Sequence, residues 1–307
     1  MKIELVTKTQ IEKRKYWIHE IIQLSGNFGA DTEKVDQEIS KELAGKNKLE
    51  LLLGHLRLCG AIPEQYGHDS SEEKLYSKYT DVVISKSFET LGITSLVLKE
   101  RADAADVECV TKNYSFVADA KAFRLSRTAK NQKDFKIQAM DSWKRGKPFA
   151  MVVCPIYQLP NRTSQIYQQA ESRSVAIFSF THLAVLIRYA LIKSQKKSIE
   201  LLHEIFKVVE ALHPSKAALS YWEPINRFMV DFDKSIRMIW VEEKKASEEA
   251  IYLAKEEALT YLAAERERII KLSRVEAIRE VIKASKIENK IRAVKSVADN
   301  GLLTLDG

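Results

Sequence analysis

Cysteine is scarce in this 307-residue chain: Cys59, Cys109 and Cys154 are widely spaced and odd in number. They define neither a disulfide framework nor a zinc knuckle, and read most simply as reduced core residues of a cytosolic protein. Long apolar runs are missing as well. The longest candidate, Leu183 to Ile192, is broken by Arg188 and far too short to span a bilayer. Met1 to Lys8 lacks the continuous apolar region of a signal peptide. The expectation is a soluble, cytoplasmic protein with no membrane partner.

Several catalytic signatures are absent too. There is no Gly-x-Ser-x-Gly elbow and no His-Glu-x-x-His pair. Gly146-Lys147-Pro148 lacks the upstream glycine and the hydroxyl of a phosphate-binding loop, so no nucleotide cofactor is expected. The six histidines form no cluster, and His182, beside a helix start, reads as a cap or core residue. No internal repeat or low-complexity segment is present.

What remains is an ordinary globular composition, 45% hydrophobic and 30% charged, able to bury a substantial core. Its length suits one large domain or a core domain with helical additions. The net charge of +7 is modest, but its placement is not. Between Lys121 and Lys147 lie nine basic and two acidic residues, so this segment carries the whole excess and the remainder sums to zero. A basic excess confined to one segment is a footprint for a polyanion.

Helical spacing covers 8–60, where Ile11, Trp17, Ile18, Ile21, Ile22 and Leu24 recur on one face. Ser70 or Ser71 caps a further helix reaching about Leu91, with Glu73 in its first turn. A hairpin follows: Val107 and Cys109 pair with Tyr114 to Phe123 across a turn near Lys112-Asn113. Residues 131–145 are again helical, Phe149 to Cys154 reads as a buried central strand, and a short helix near Ser164 to Glu171 precedes a strand over Val175 to Phe180. Thr181 is placed to cap the next helix, and from about Ile225 the chain is almost wholly helical. The order predicts a mixed α/β sandwich.

The chemistry centres on Asp119-Ala120-Lys121. Strand periodicity sets i and i+2 on one face, about 7 Å apart. An oxygen ligand for a hard cation thus stands beside an ammonium, with Asp106 opening the preceding strand as a second carboxylate. Such a site holds Mg²⁺ through Asp106, Asp119 and the Ala120 carbonyl, while Lys121 orients water or stabilises charge on phosphorus. Glu73 is a candidate outer ligand; otherwise it is a carboxylate favoured by the helix dipole. The bland alternative for Asp119 and Lys121 is a structural ion pair at a strand end. Other Asp-x-Lys and Glu-x-Lys triplets, such as Asp134-Phe135-Lys136, lie in helical patterns where i and i+2 do not share a face. In the basic run, Arg124, Arg127, Lys130, Lys133 and Lys136 fall at every third position, interleaved with Ser126, Thr128, Asn131 and Gln132. Cations take phosphates, while Arg, Asn and Gln read guanine and adenine edges.

The stretch from Phe116 to Lys136, with Ile62-Pro63-Glu64, Glu73 to Lys78 and Ala105-Asp106-Val107, resembles the HindIII family of type II restriction endonucleases, within the PD-(D/E)xK nuclease superfamily. The resemblance implies a restriction-endonuclease-like mixed β-sheet flanked by helices: a nuclease core over 61–200, an N-terminal helical region over 1–60 and a C-terminal one over 201–307. It also implies a Mg²⁺-dependent homodimer that cuts double-stranded DNA at AAGCTT after the first A, leaving four-base 5′ overhangs. Asp106 and Asp119 fall on the metal aspartates and Lys121 on the catalytic lysine. Ala105 departs from the superfamily's proline, and the hairpin is slightly short. Two other expectations stand beside this one: a DNA-binding protein without catalysis, and a structure-selective nuclease of the same superfamily.

Overall fold

A computed structural model describes residues 4–24, 26–98, 104–127 and 132–295, leaving aside the side chains at 132, 133 and 293. It divides into two compact units that meet in sequence between Ala258 and Leu259.

The first unit begins with three helices, α1 (Lys8–Leu24), α2 (Phe28–Glu42) and α3 (Lys48–Leu58). Their apolar stripes, including Trp17, Ile21, Val35, Ile39, Leu52 and Leu56, bury in the same core as the sheet. Next come α4 (Ser71–Thr90), β1 (Thr94–Val97), β2 (Val107–Val110), β3 (Ser115–Ala120), α5 (Gln132–Phe135), α6 (Ile137–Trp143) and β4 (Phe149–Cys154). The unit continues with α7 (Gln165–Ser172), β5 (Val175–Ser179), α8 (Phe180–Ile192), α9 (Gln195–Ala211), α10 (Ala218–Phe232) and the first part of α11 (Lys234–Ile270). Among the described residues the strands form one sheet in chain order, β1 to β5. The first three are antiparallel and the last three parallel. Every residue of β4 and β5 is buried, as continuous apolar runs in central and covered strands require.

Sequence and structure part in several places, among them α9, for which the sequence pattern marked no helix. The sequence pattern contained no strand between the α4 helix and the hairpin, yet Thr94–Val97 adds an antiparallel strand at the sheet edge. Thr94 and Leu96 are exposed and Ser95 and Val97 half-buried, so no face is fully buried. The apolar Leu96 points outward, against the apolar-in, polar-out alternation that marks a strand in sequence. The helix expected over 131–145 is two helices, broken at Lys136, whose φ of 48° lies in the left-handed region. The α8 cap is Ser179, whose Oγ accepts the His182 amide at 3.1 Å; Thr181 already lies inside the helix.

The hairpin turn forms where the sequence placed it. Thr111 Oγ1 accepts the Tyr114 amide at 2.9 Å and the Asn113 amide at 3.2 Å. Beyond β3 the chain is pinned in place by Phe123, which donates to the Gly60 carbonyl at 3.0 Å and accepts the Ile62 amide at 3.2 Å. Buried Arg14 secures that partner segment: it donates to the carbonyls of Leu58 and Ala61 and is neutralised by Glu257. No helix among the described residues is long and apolar enough to cross a membrane.

The early part of α11 buries Ile236, Ile239, Ala246, Ala250 and Ala254, whereas Leu262 and Ile269 of the same helix are exposed. The second unit, taken by itself, adds α12 (Arg274–Ala284) and α13 (Ile287–Lys295). A capping box between Ser273 and Glu276 starts α12, which buries none of its side chains.

Candidate active site

Strand register does the first part of the assembly. Val107 pairs with Ala118, so Asp106, immediately before β2, stands across from Asp119 on β3. The small Ala118 and Ala120 let α4 pack against β2 and β3. Through that contact α4 delivers a third carboxylate, Asp81, whose Oδ1 accepts the Ala120 amide at 3.3 Å. Carboxylate oxygens of Asp81, Asp106 and Asp119 all lie within 4.8 Å of one another. Asp81 and Asp119 are buried, 2% and 1% exposed, and Asp106 is partly open.

Two ammonium groups compensate them. Lys121 Nζ lies 2.5 Å from Asp119 Oδ2, on the shared face that strand periodicity requires. Lys78, one turn before Asp81, donates to Asp106 Oδ1 and lies 3.6 Å from Asp81 Oδ2. Burial raises the Asp81 carboxyl well above the usual carboxylate range, and the neighbouring Asp106 charge adds to it. Asp119 is raised by burial too, an effect that Lys121 partly offsets. For Asp106 burial acts in the same direction, but Lys78, together with Lys121 and Lys136, outweighs it and holds this carboxyl below its ordinary value. The carboxylates in turn hold both lysines firmly protonated against the cost of burial.

Asp81 and Lys78 escaped sequence reasoning. The available signal was an ionisable residue inside the apolar run Tyr79, Val82, Val83, Ile84, where a charge is costly unless paired. Glu73 lies elsewhere. It precedes Asp81 by eight residues, about 12 Å along the helix. Its Oε2 accepts the Asp69 amide at 2.6 Å and its Oε1 faces Arg124 Nε at 3.2 Å. It clusters with His68 and Asp69, apart from the three aspartates.

The basic segment leaves β3 as a loop over 121–127. Arg124 also donates to the carbonyls of Gly67, at 2.9 Å, and Glu64, at 3.4 Å. Ser126 gives its amide and hydroxyl to the two oxygens of Glu64, at 3.0 and 2.7 Å. Arg127 pairs with Asp134 at 2.5 Å and covers the Phe123 ring. Thr128, Lys130 and Asn131 lie outside the described residues; Gln132 and Lys133 start α5, their side chains undescribed. Left-handed Lys136 adds a positive field that lowers the carboxyls of both Asp106 and Asp119.

The arrangement offers hard oxygen ligands and a buried ammonium beside a cationic loop, a combination suited to phosphodiester chemistry. Comparison with known proteins points the same way. The HindIII restriction endonuclease family model matches residues 14–298. The chain is similar to the type II restriction enzyme HindIII of Haemophilus influenzae (strain ATCC 51907 / DSM 11121 / KW20 / Rd), 35% identical over 261 residues, covering 81% of this chain and 86% of that protein. The chain belongs to the HindIII restriction endonuclease family.

Proposed function

We propose that the protein is a Mg²⁺-dependent type II restriction endonuclease. It cleaves both strands of the palindrome AAGCTT after the first A and leaves four-base overhangs with 5′-phosphate ends. The observation that supports this most is the convergence of Asp81, Asp106 and Asp119 within 4.8 Å beside the Lys121 ammonium.

The donor set fits a hard dication: the cluster presents carboxylate oxygens and neither sulfur nor imidazole. Asp106 and Asp119 would hold it, together with the Ala120 carbonyl, with Asp81 completing the acidic wall. When bound, Mg²⁺ supplies Lewis-acid stabilisation and a more acidic water. Lys121, whose ammonium stands 2.5 Å from Asp119 Oδ2, would orient the attacking water and balance charge growing on the phosphoryl oxygens. Asp119 is set in a stretch of β3, Phe116 to Ala120, that is buried throughout, so its carboxylate keeps its position through the reaction.

Contacts to double-stranded DNA are assigned to the segment after the site: Arg124, Ser126, Arg127, Thr128, Lys130, Asn131, Gln132 and Lys133. Glu64, Glu73 and Asp134 pair with Ser126, Arg124 and Arg127 as phosphates would. A palindrome has two equivalent half-sites, which a symmetric homodimer reads with two copies of one segment.

Digestion of plasmid with purified protein and Mg²⁺, followed by sequencing of the fragment ends, tests the proposal. Ends at A/AGCTT support it. Retarded but intact plasmid would instead indicate a DNA-binding protein, and cutting confined to branched DNA a structure-selective nuclease.

A further inference from the structure

Lys121 has an evident task, but the site contains a second buried ammonium. Lys78 rises from α4 into the carboxylate cluster with only 13% of its side chain exposed. It donates to Asp106 Oδ1 and stands 3.6 Å from Asp81 Oδ2, while Lys121 serves Asp119. The two lysines thus divide the cluster between them. With all three carboxylates ionised, two ammoniums leave a single negative charge uncompensated. Lys78 also pairs with Asp106, the one aspartate of the three that is partly open to solvent.

A dication coordinated by Asp106 draws on the same carboxylate that Lys78 now pairs with. The ammonium and the metal are therefore competitors for one acceptor, a few ångströms apart and of like charge. A lysine stem is a flexible chain of four carbons, so the ammonium can shift its position by changing rotamer while α4 stays in place. We propose that Lys78 is the resident counter-ion of the metal-free centre, displaced from Asp106 when the divalent cation enters. It keeps the buried carboxylates from repelling one another before metal arrives, and it sets how tightly metal binds. This rests on the metal-site reading above and assigns a residue that reading does not use.

Mn²⁺ titration followed by electron paramagnetic resonance, without DNA, measures binding independently of cleavage. Lys78→Met removes the competitor and keeps the stem, and should tighten Mn²⁺ binding at least about fivefold. Lys78→Arg keeps the charge and should bind Mn²⁺ as the unaltered protein does. A Lys78→Met affinity that is weaker, or less than about fivefold tighter, overturns the role. Should the Met variant fail to fold, as circular dichroism would show, Lys78→Gln takes its place with the same threshold. Asp119→Asn separates the two readings. If it binds Mn²⁺ as well as the unaltered protein, or the unaltered protein binds none, the metal-site reading itself fails. Loss of Mn²⁺ in Asp119→Asn alongside unchanged affinity in Lys78→Met overturns the Lys78 role alone.

Discussion

Asp81, deep in α4, accepts the backbone amide of Ala120 at 3.3 Å. This bond fastens a helix to the end of the strand that carries Asp119 and Lys121, and it places a third carboxylate beside the other two. Removing its charge but not its acceptor separates the two tasks. Asp81→Asn should keep the amide bond and the fold, yet lower plasmid cleavage by about 10- to 100-fold, the range seen when a group supporting a metal site is lost. Cleavage at the unaltered rate would show that Asp81 is only a fastener.

The Glu73–Arg124 pair, at 3.2 Å, sets a protein carboxylate against a residue assigned to DNA. Partly exposed pairs of this kind are worth about 0.2–1 kcal/mol, so Glu73→Gln should tighten duplex binding by up to about fivefold. Fluorescence anisotropy across a salt series reads this directly. Weaker binding would mean that Glu73 shapes the loop rather than competing with phosphate.

His182 connects three elements. Its Nε2–H donates to Asn226 Oδ1 at 2.9 Å, its Nδ1 accepts the Ser179 hydroxyl at 2.5 Å, and its ring stacks on Trp222. Burial pushes its pKa down to about 4. Below the free histidine value near 6.5 the unfolded chain takes up a proton that the folded protein refuses until about pH 4. Stability from this group is therefore complete above pH 6.5 and lost as pH falls through 4, by about 3 kcal/mol in all. Urea denaturation at pH 7 and pH 4.5 should show a loss that shrinks in His182→Gln. An equal loss in the variant would move the effect to other groups.

Tyr221 closes the open edge of the sheet. Its hydroxyl accepts the Ile177 amide at 2.6 Å and donates to the Ile177 carbonyl at 3.1 Å, doing for β5 what a sixth strand would do. Tyr221→Phe strands both groups in the core and should cost about 2–4 kcal/mol in chemical denaturation, with the cleavage centre unaffected. A loss below about 0.5 kcal/mol would mean that water takes the place of the hydroxyl.

Local periodicity determined a good part of this protein. The hairpin, the Asp119–Lys121 face, the buried run of β4 and the helices before and after the sheet all follow from spacings of 2 and 3.6 residues, which need no partner to be read. The family resemblance was legible because the segment from Phe116 to Lys136 is contiguous. Tertiary structure alone decided the rest. Asp81 precedes Ala120 by 39 residues, and nothing in a helical pattern says which strand end one of its faces will meet; small Ala118 and Ala120 set that approach. Lys78 follows Asp81 into the cluster for the same reason. The edge strand β1 was invisible because it buries no side chain and exposes the apolar Leu96. The carboxylates on Arg124 and Ser126 come from the first turn of α4 and from the segment before it, 51 and 62 residues earlier. A single chain segment can display its own face; which charges it meets there is settled only when separate segments pack.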